Sequence, residues 1–317
     1  MDRKRKYRIM IFCFISVLFV LVGCGQTINT GGDGDSANSS SQSDWELGEG
    51  ELPNQIGEQI EIEDMLTDLS SEGLFDSSVR LAEKTGDNPP TGKWFIHEGE
   101  GEFGYGLTSG TAKPGDEFSV RIIGHEADGV EFHRSVRVQL TSLVGDYEQD
   151  ELFVDETVYL EKITKEENVF SGTLPEGENA HYLLRVEILD DEGMVEDSRL
   201  SLIYVPAEEM NVSMYLDQDV YDVEDSEAML TLENFGPTIL FLSMHYSIEK
   251  RIEGTWRVVP LDLAFIEIAI HLGVGGTHDQ SVDLTELDEG EYRVIKNVGA
   301  ENMNDLEATL AAEFIIE

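Results

Sequence analysis

From Lys93 onward, apolar and polar residues alternate at period two, the spacing of strands whose alternate side chains face a core. Phe118, Val120 and Ile122 alternate with Ser119, Arg121 and Ile123, and Val136, Val138 and Leu140 with Arg137, Gln139 and Thr141. Tyr182, Leu184, Val186 and Ile188 form a third such face. Turn-forming runs lie between them: Lys113-Pro114-Gly115-Asp116, Leu174-Pro175-Glu176-Gly177 and Asp190-Asp191-Glu192-Gly193. Closely spaced short strands with no helix-sized pattern between them predict an antiparallel sandwich. Val205-Pro206-Ala207 ends this unit, and a second one follows. There Leu240, Leu242, Met244, Tyr246 and Ile248 read as one face of a single long strand, with Ser243, His245, Ser247 and Glu249 on its outward face. Ala228, Leu230 and Leu232 give another inward face, and Ile266, Ile268, Ile270 and Leu272 a third. The predicted fold class is therefore all-β: two antiparallel β-sandwich domains at residues 91–206 and 207–317.

Different patterns precede them. Arg3, Lys4, Arg5, Lys6 and Arg8 stand before an apolar run of 14 residues from Ile9 to Val22. That run is shorter than the roughly 20 residues a membrane-spanning helix needs. Charged, apolar and small residues in this order predict a secretory signal peptide over residues 1–23. Its end, Leu21-Val22-Gly23-Cys24, resembles the lipobox of bacterial lipoproteins. The resemblance implies cleavage before Cys24 and attachment of a diacylglycerol to its thiol, which would make the membrane a partner. Residues 24–90 read as a flexible acidic tether: Gly25 to Ser43 is rich in Gly, Ser, Asn and Thr, and Asp44 to Asp76 holds eleven acids and no base. Within it Ile62, Met65, Leu66 and Leu69 share one face of a short helix over residues 61–70.

Near the end, Leu287-Asp288-Glu289-Gly290-Glu291-Tyr292 leads into a strand from Arg293 to Val298. It resembles the tyrosine corner of sandwich folds, in which a tyrosine opening a late strand bonds back to the preceding corner. Gly290 and Tyr292 are its structural residues, with a looser echo in Leu174-Pro175-Glu176-Gly177 and Tyr182. Residues 211–317 resemble the bacterial immunoglobulin-like domains of Gram-positive surface lipoproteins. The resemblance is carried by Tyr221 in Asp219-Val220-Tyr221-Asp222, by Leu230-Thr231-Leu232-Glu233-Asn234, by Tyr246-Ser247-Ile248-Glu249-Lys250 with Trp256 after the turn, and by Gly290-Glu291-Tyr292-Arg293-Val294-Ile295-Lys296. It implies a fold and a place at the cell surface, and brings no catalytic residue. Where many such domains have a Pro-Gly turn, this chain has Leu272-Gly273-Val274-Gly275-Gly276.

Charge narrows the partners. Loss of residues 1–23 removes five of the 21 Lys+Arg and one of the 65 Asp+Glu, moving the formal charge from −44 to −48. Nucleic acid is excluded as a partner, because phosphate binding relies on Lys and Arg displacing counterions. An anionic membrane surface likewise repels so acidic a body, so the lipid and not the protein surface would hold it there. Of the two cysteines, Cys13 leaves with the leader, so the mature chain has no disulfide within it.

Candidate chemistry is sparse. Gly99-Glu100-Gly101-Glu102-Phe103-Gly104 matches the dinucleotide-binding glycine pattern by letter, but Tyr105-Gly106-Leu107-Thr108 starts no helix to hold a pyrophosphate. A glycine-rich loop or strand edge is the reading there. His125, Asp128, Glu131 and His133 put imidazole and carboxylate in one loop, a donor set that suits zinc. Their spacing matches no metal motif, so a solvated polar loop is the default. Asp217, Asp219, Asp222, Glu224 and Asp225 offer oxygens for calcium but lack the glycine and closing glutamate of an EF-hand. No nucleophile elbow or zinc-protease helix motif occurs. No cofactor is called for. The function expected is a non-catalytic, lipid-anchored module on the extracellular face of the membrane, presenting a binding or spacer surface to a cell-wall or protein partner. The alternatives are a peptidase-inhibitor-like sandwich and a metal-dependent hydrolase domain over residues 93–205.

Overall fold

A computed structural model describes residues 42–58, 74, 76–125 and 128–317, the side chain of Asn304 apart. The leader, Cys24 with its lipobox and the helix read over 61–70 lie outside the described residues. The chain runs through β1 (Gln55–Ile56), α1 (Ser78–Thr85), β2 (Gly104–Leu107), β3 (Gly110–Thr111), β4 (Glu117–Ile123), β5 (Val130–Val144), β6 (Glu148–Ile163), β7 (Glu167–Thr173), β8 (Ala180–Leu189) and β9 (Val195–Val205). It continues through β10 (Val212–Leu216), β11 (Val220–Tyr221), β12 (Glu227–Asn234), β13 (Leu240–Leu242), β14 (Ser247–Ile252), β15 (Thr255–Val258), β16 (Ile270–Leu272), β17 (Thr277–Asp283), β18 (Gly290–Ala300) and β19 (Met303–Ile316).

These strands make two sandwiches, as the alternation predicts. In the first, a five-stranded sheet ordered β3-β9-β8-β5-β6 faces a three-stranded sheet ordered β2-β4-β7. Phe118, Val120, Ile122, Val136, Val138, Leu140, Leu184, Val186 and Ile188 are all buried between them. In the second, a four-stranded sheet ordered β1-β10-β12-β17 faces a seven-stranded one built on β11-β19-β18-β13-β16, with β14 and β15 continuing beside β18. Pairing is antiparallel apart from β3 with β9 and β11 with β19.

Four expectations need correction. First, parts of the segment read as a flexible tether are folded. Residues 45–50 form a strap: Glu46 to Gly48 pair antiparallel with β15, Glu49 and Gly50 bond the outward side chains of Glu249 and Arg293, and Gln55 and Ile56 pair with β10. Further on, α1 is capped by the Ser77 hydroxyl at its start and by Gly86 in the left-handed conformation at its end. It buries Leu81 and Ala82 against Leu183, Leu200, Leu202 and Tyr204 on the outer face of β8 and β9. That second apolar face gave the sheet something to cover, and the amphipathic helix covers it.

Second, the long strand from Leu240 to Ile248 is broken into β13 and β14. Both pair with β18, but two extra residues intervene between the registers Phe241↔Gly299 and Ser247↔Ile295. The freed carbonyls accept internal bonds: Lys296 Nζ donates to Ser243 O at 2.6 Å and His245 O at 3.2 Å, and Gln280 Nε2 to Met244 O at 2.6 Å. Third, Glu249 does lie on the outward face of its strand but is buried there, because the strap covers it. Fourth, Ile266 and Ile268 belong to no strand and are 65% and 46% exposed, since β16 begins only at Ile270.

Candidate functional site

Of the residues read as one loop over 125–133, Val130 to His133 belong to β5. Glu131 and His133 meet, with Oε2 3.0 Å from Nε2 on an open surface, and Tyr159 Oη lies 3.4 Å from His133 Nδ1. His125 and Asp128 do not join them. Among the described residues no three His, Cys, Asp or Glu side chains converge as metal donors. The metal reading of residues 93–205 therefore keeps only this exposed pair as support. His133 takes a positive φ of 49° where β5 slips register against β6, which swings its imidazole toward Glu131.

The other acidic candidates are engaged locally. Asp217 Oδ1 accepts from Tyr221 Oη and Met229 N, both at 2.8 Å, and these bonds hold its carboxyl below the usual range. Asp225 accepts from Asp222 N at 2.9 Å, closing the turn after β11. The glycine pattern at 99–104 is a tight reversal: His97 and Glu100 bond each other's backbones, and Phe95 lies beside Phe103. Gly101 is required there. Its φ is 90°, and a Cβ would come 2.2 Å from the Phe95 carbonyl oxygen.

At the corner before β18, Tyr292 Oη donates to Asp288 O at 2.8 Å, four residues back. Lys250 reaches the same corner, bonding the Asp288 carboxylate and Glu289 O. Burial opposes ionisation of Asp288, but the hydrogen bonds from Lys250 and Tyr292 outweigh it and lower its pKa. Burial and Asp288 together raise that of Tyr292. Gly290 leaves room for this arrangement, since a Cβ there would lie 2.5 Å from Lys250 Cε. In the first sandwich Tyr182 is buried near Gly177, where an added Cβ would come 3.5 Å from its hydroxyl.

Three clusters escaped sequence reasoning. The first is Asp197, fully buried, whose carboxylate accepts from the backbone N–H groups of Thr91, Trp94, Phe95 and Ser198 at 2.8 to 2.9 Å. Beside it Glu196 bonds Lys93, Arg134 and Trp94 Nε1; burial alone would raise its pKa, but these partners bring it down to about 2. An acid pair flanked by strand residues is unremarkable in so acidic a chain, which hid both roles. The second is Lys296, whose ammonium spends its three donors on Ser243 O, His245 O and Gln280 Oε1. Burial lowers its pKa to about 8. With its protons so engaged it acts as an internal staple for the broken strand.

The third cluster is the strap. Arg293, fully buried, brings Nε and Nη2 to the one oxygen Glu249 Oε2 at 2.8 and 2.6 Å, and donates to Gly50 O at 2.9 Å and Glu49 O at 2.7 Å. Glu49 N returns a bond to Glu249 Oε1 at 3.0 Å. Trp256 lies over the guanidinium at 4.5 Å. All three guanidinium nitrogens of Arg293 reach an oxygen, the condition for keeping a buried ion pair.

The geometry defines a pair of sandwiches, the later one closed by a tyrosine corner. In agreement, residues 208–315 match the family model of a bacterial Ig-like domain, so the C-terminal sandwich is a domain of that kind. No curated protein matches the chain. Solved structures similar to it include red sea bream transglutaminase, 10% identical with a TM-score of 0.27, covering 67% of this chain and 31% of that one. The Yersinia pseudotuberculosis adhesin InvE is 13% identical with a TM-score of 0.30, covering 69% and 61%. Native E. coli alpha-2-macroglobulin is 12% identical with a TM-score of 0.25, covering 67% and 16%. The chain spans less than two thirds of the length of each, and likenesses this slight carry nothing about activity.

Proposed function

We propose that this protein is a non-catalytic, lipid-anchored surface module of a Gram-positive bacterium, held at the outer face of the membrane through Cys24 and presenting its sandwiches to a cell-wall or protein partner. The observation that carries the reading is the Ig-like match at 208–315, which lies downstream of a basic and apolar leader ending in Leu21-Val22-Gly23-Cys24. The acidic charge supports it, because a body of this sign is repelled by an anionic bilayer and leaves anchoring to the acyl chains.

Metabolic labelling with an alkyne fatty acid, followed by mass spectrometry of the N-terminal peptide, tests the anchor. The expected result is an acylated cysteine at position 24 and loss of both label and membrane fractionation in Cys24→Ala. An unlabelled chain that keeps residues 1–23 overturns the reading.

A further inference from the structure

β6 is 16 residues long and forms one edge of the five-stranded sheet. At about 3.4 Å per residue it presents roughly 50 Å of strand. Its one side is paired along β5 from Ile163 to Glu148, with three register shifts on the way, and no described strand pairs with the other. Such an edge offers a row of unpaired N–H and C=O groups, the template used when an extended peptide adds to a sheet. The side chains are as unfinished as the backbone. The facing sheet has three strands against five, so Val154, Val158 and Leu160 reach the core only partly buried. Leu152, Phe153 and Tyr159 are 51%, 40% and 56% exposed.

The charges on the strand select what can lie there. Glu148, Asp150, Glu151, Asp155, Glu156 and Glu161 stand against Lys162 alone within the strand, with Asp155 already paired to Arg137 of β5. A second copy is the obvious occupant of a free edge, but it is repelled. Full antiparallel overlap of β6 with itself would set Asp150 opposite Glu161 and Asp155 opposite Glu156, each pair occurring twice, and like charges directly opposite are destabilising. A strand bearing Lys or Arg at the same positions would meet those acids as cross-strand partners. Asp155 and Glu161 alternate with Val154, Val158 and Leu160, so bases opposite the former leave apolar residues to continue the layer that the latter leave open.

We infer that β6 is an acceptor edge for an extended, basic polypeptide segment, which adds to the five-stranded sheet by main-chain hydrogen bonds and is chosen by its positive side chains. This gives the binding module proposed above a class of partner, and it rests on the fold of residues 130–189, whether or not Cys24 is acylated.

The test uses the full chain in detergent solution and three synthetic dodecapeptides: alternating Lys-Val, the same sequence with every second amide N-methylated, and alternating Glu-Val. Binding is read by calorimetry and by hydrogen exchange across residues 148–163. The expected result is binding of Lys-Val alone, with amide exchange in β6 slowed at least tenfold. The variant Asp150→Asn, Glu156→Gln, Glu161→Gln, which removes exposed charge and no core contact, should bind at least tenfold more weakly while its melting curve stays unchanged. Equal binding of the N-methylated peptide would show charge attraction without strand addition and overturn the inference. Absence of Lys-Val binding, or a β6-dependent dimer of the protein itself in sedimentation, overturns it as well.

Discussion

Arg293 and Glu249 show what a single buried pair does in this fold. The guanidinium is wholly buried and its partner nearly so, and each has further hydrogen bonds to the strap. Removing one partner strands a charge, so Glu249→Ala should cost about 3 to 5 kcal/mol in urea unfolding, while joint replacement by Met and Leu should come much closer to neutral. His181 carries the opposite lesson. Its ring is buried and stacked on Tyr204 at 4.5 Å, neither nitrogen has a hydrogen-bond partner, and burial lowers its pKa from 6.5 to about 4. The folded state therefore favours the neutral ring. Stability from this group is complete above the unfolded value near 6.5 and is lost as pH falls toward 4, in total on the order of 3 kcal/mol. Glu196, held at about 2, adds its own loss only below its ordinary 4.5, so the two windows separate. In urea titrations between pH 6.5 and 4.5, His181→Phe should keep the stack and flatten the slope; an unchanged slope would assign it to other groups.

At the scale of elements, the strap is held almost wholly by backbone groups, and it has one point of close approach. A Cβ on Gly48 would lie 2.5 Å from the Glu249 carboxyl, which cannot swing aside without leaving Arg293. Gly48→Ala should therefore lift residues 45–50, seen as faster hydrogen exchange there and a loss of about 1 to 3 kcal/mol in stability. This explains what was legible in the sequence. Strands with one face on a core announce themselves by period two, as Phe118 to Ile122 and Tyr182 to Ile188 do. A strap bound through Glu49 O, Gly50 O and Glu46 O has no side-chain period to read. α1 carries a local signal in Ser77 ahead of the helix and Gly86 after it, but its eight residues are too few to fix a period. The break between β13 and β14 depends on Lys296 and Gln280 from other strands, a tertiary effect that overrides local alternation. In the 125–133 stretch, adjacency along one strand brings Glu131 and His133 together, while His125 and Asp128 stay outside the pair.

For the whole molecule, chain order and spatial order differ. Among the described residues, the strap at 45–50 lies on the C-terminal sandwich, while Leu74 and α1 lie on the other one. The two sandwiches are then joined by more than the linker at Pro206. Tyr204 Oη donates to Pro237 O at 2.6 Å, Asn302 Nδ2 to Thr111 O at 3.0 Å, and Lys113 pairs with Glu208 at 2.7 Å. Ile239 of the C-terminal sandwich is fully buried in the apolar cluster made by α1, β8 and β9. A shared buried cluster couples stability in a way that surface ion pairs do not, because opening it exposes apolar area from both sides. Unfolding of the full chain should accordingly give one calorimetric transition for both sandwiches. Ile239→Ala removes the apolar link and should cost about 2 to 5 kcal/mol. Combined with Tyr204→Phe, which deletes the bond to Pro237, it should split the transition into two. Lys113→Ala, which removes only the exposed ion pair, should leave a single peak. If the Ile239 and Tyr204 variant still melts as one unit, the coupling must reside in the strap and the linker, and Gly48→Ala becomes the substitution that divides it.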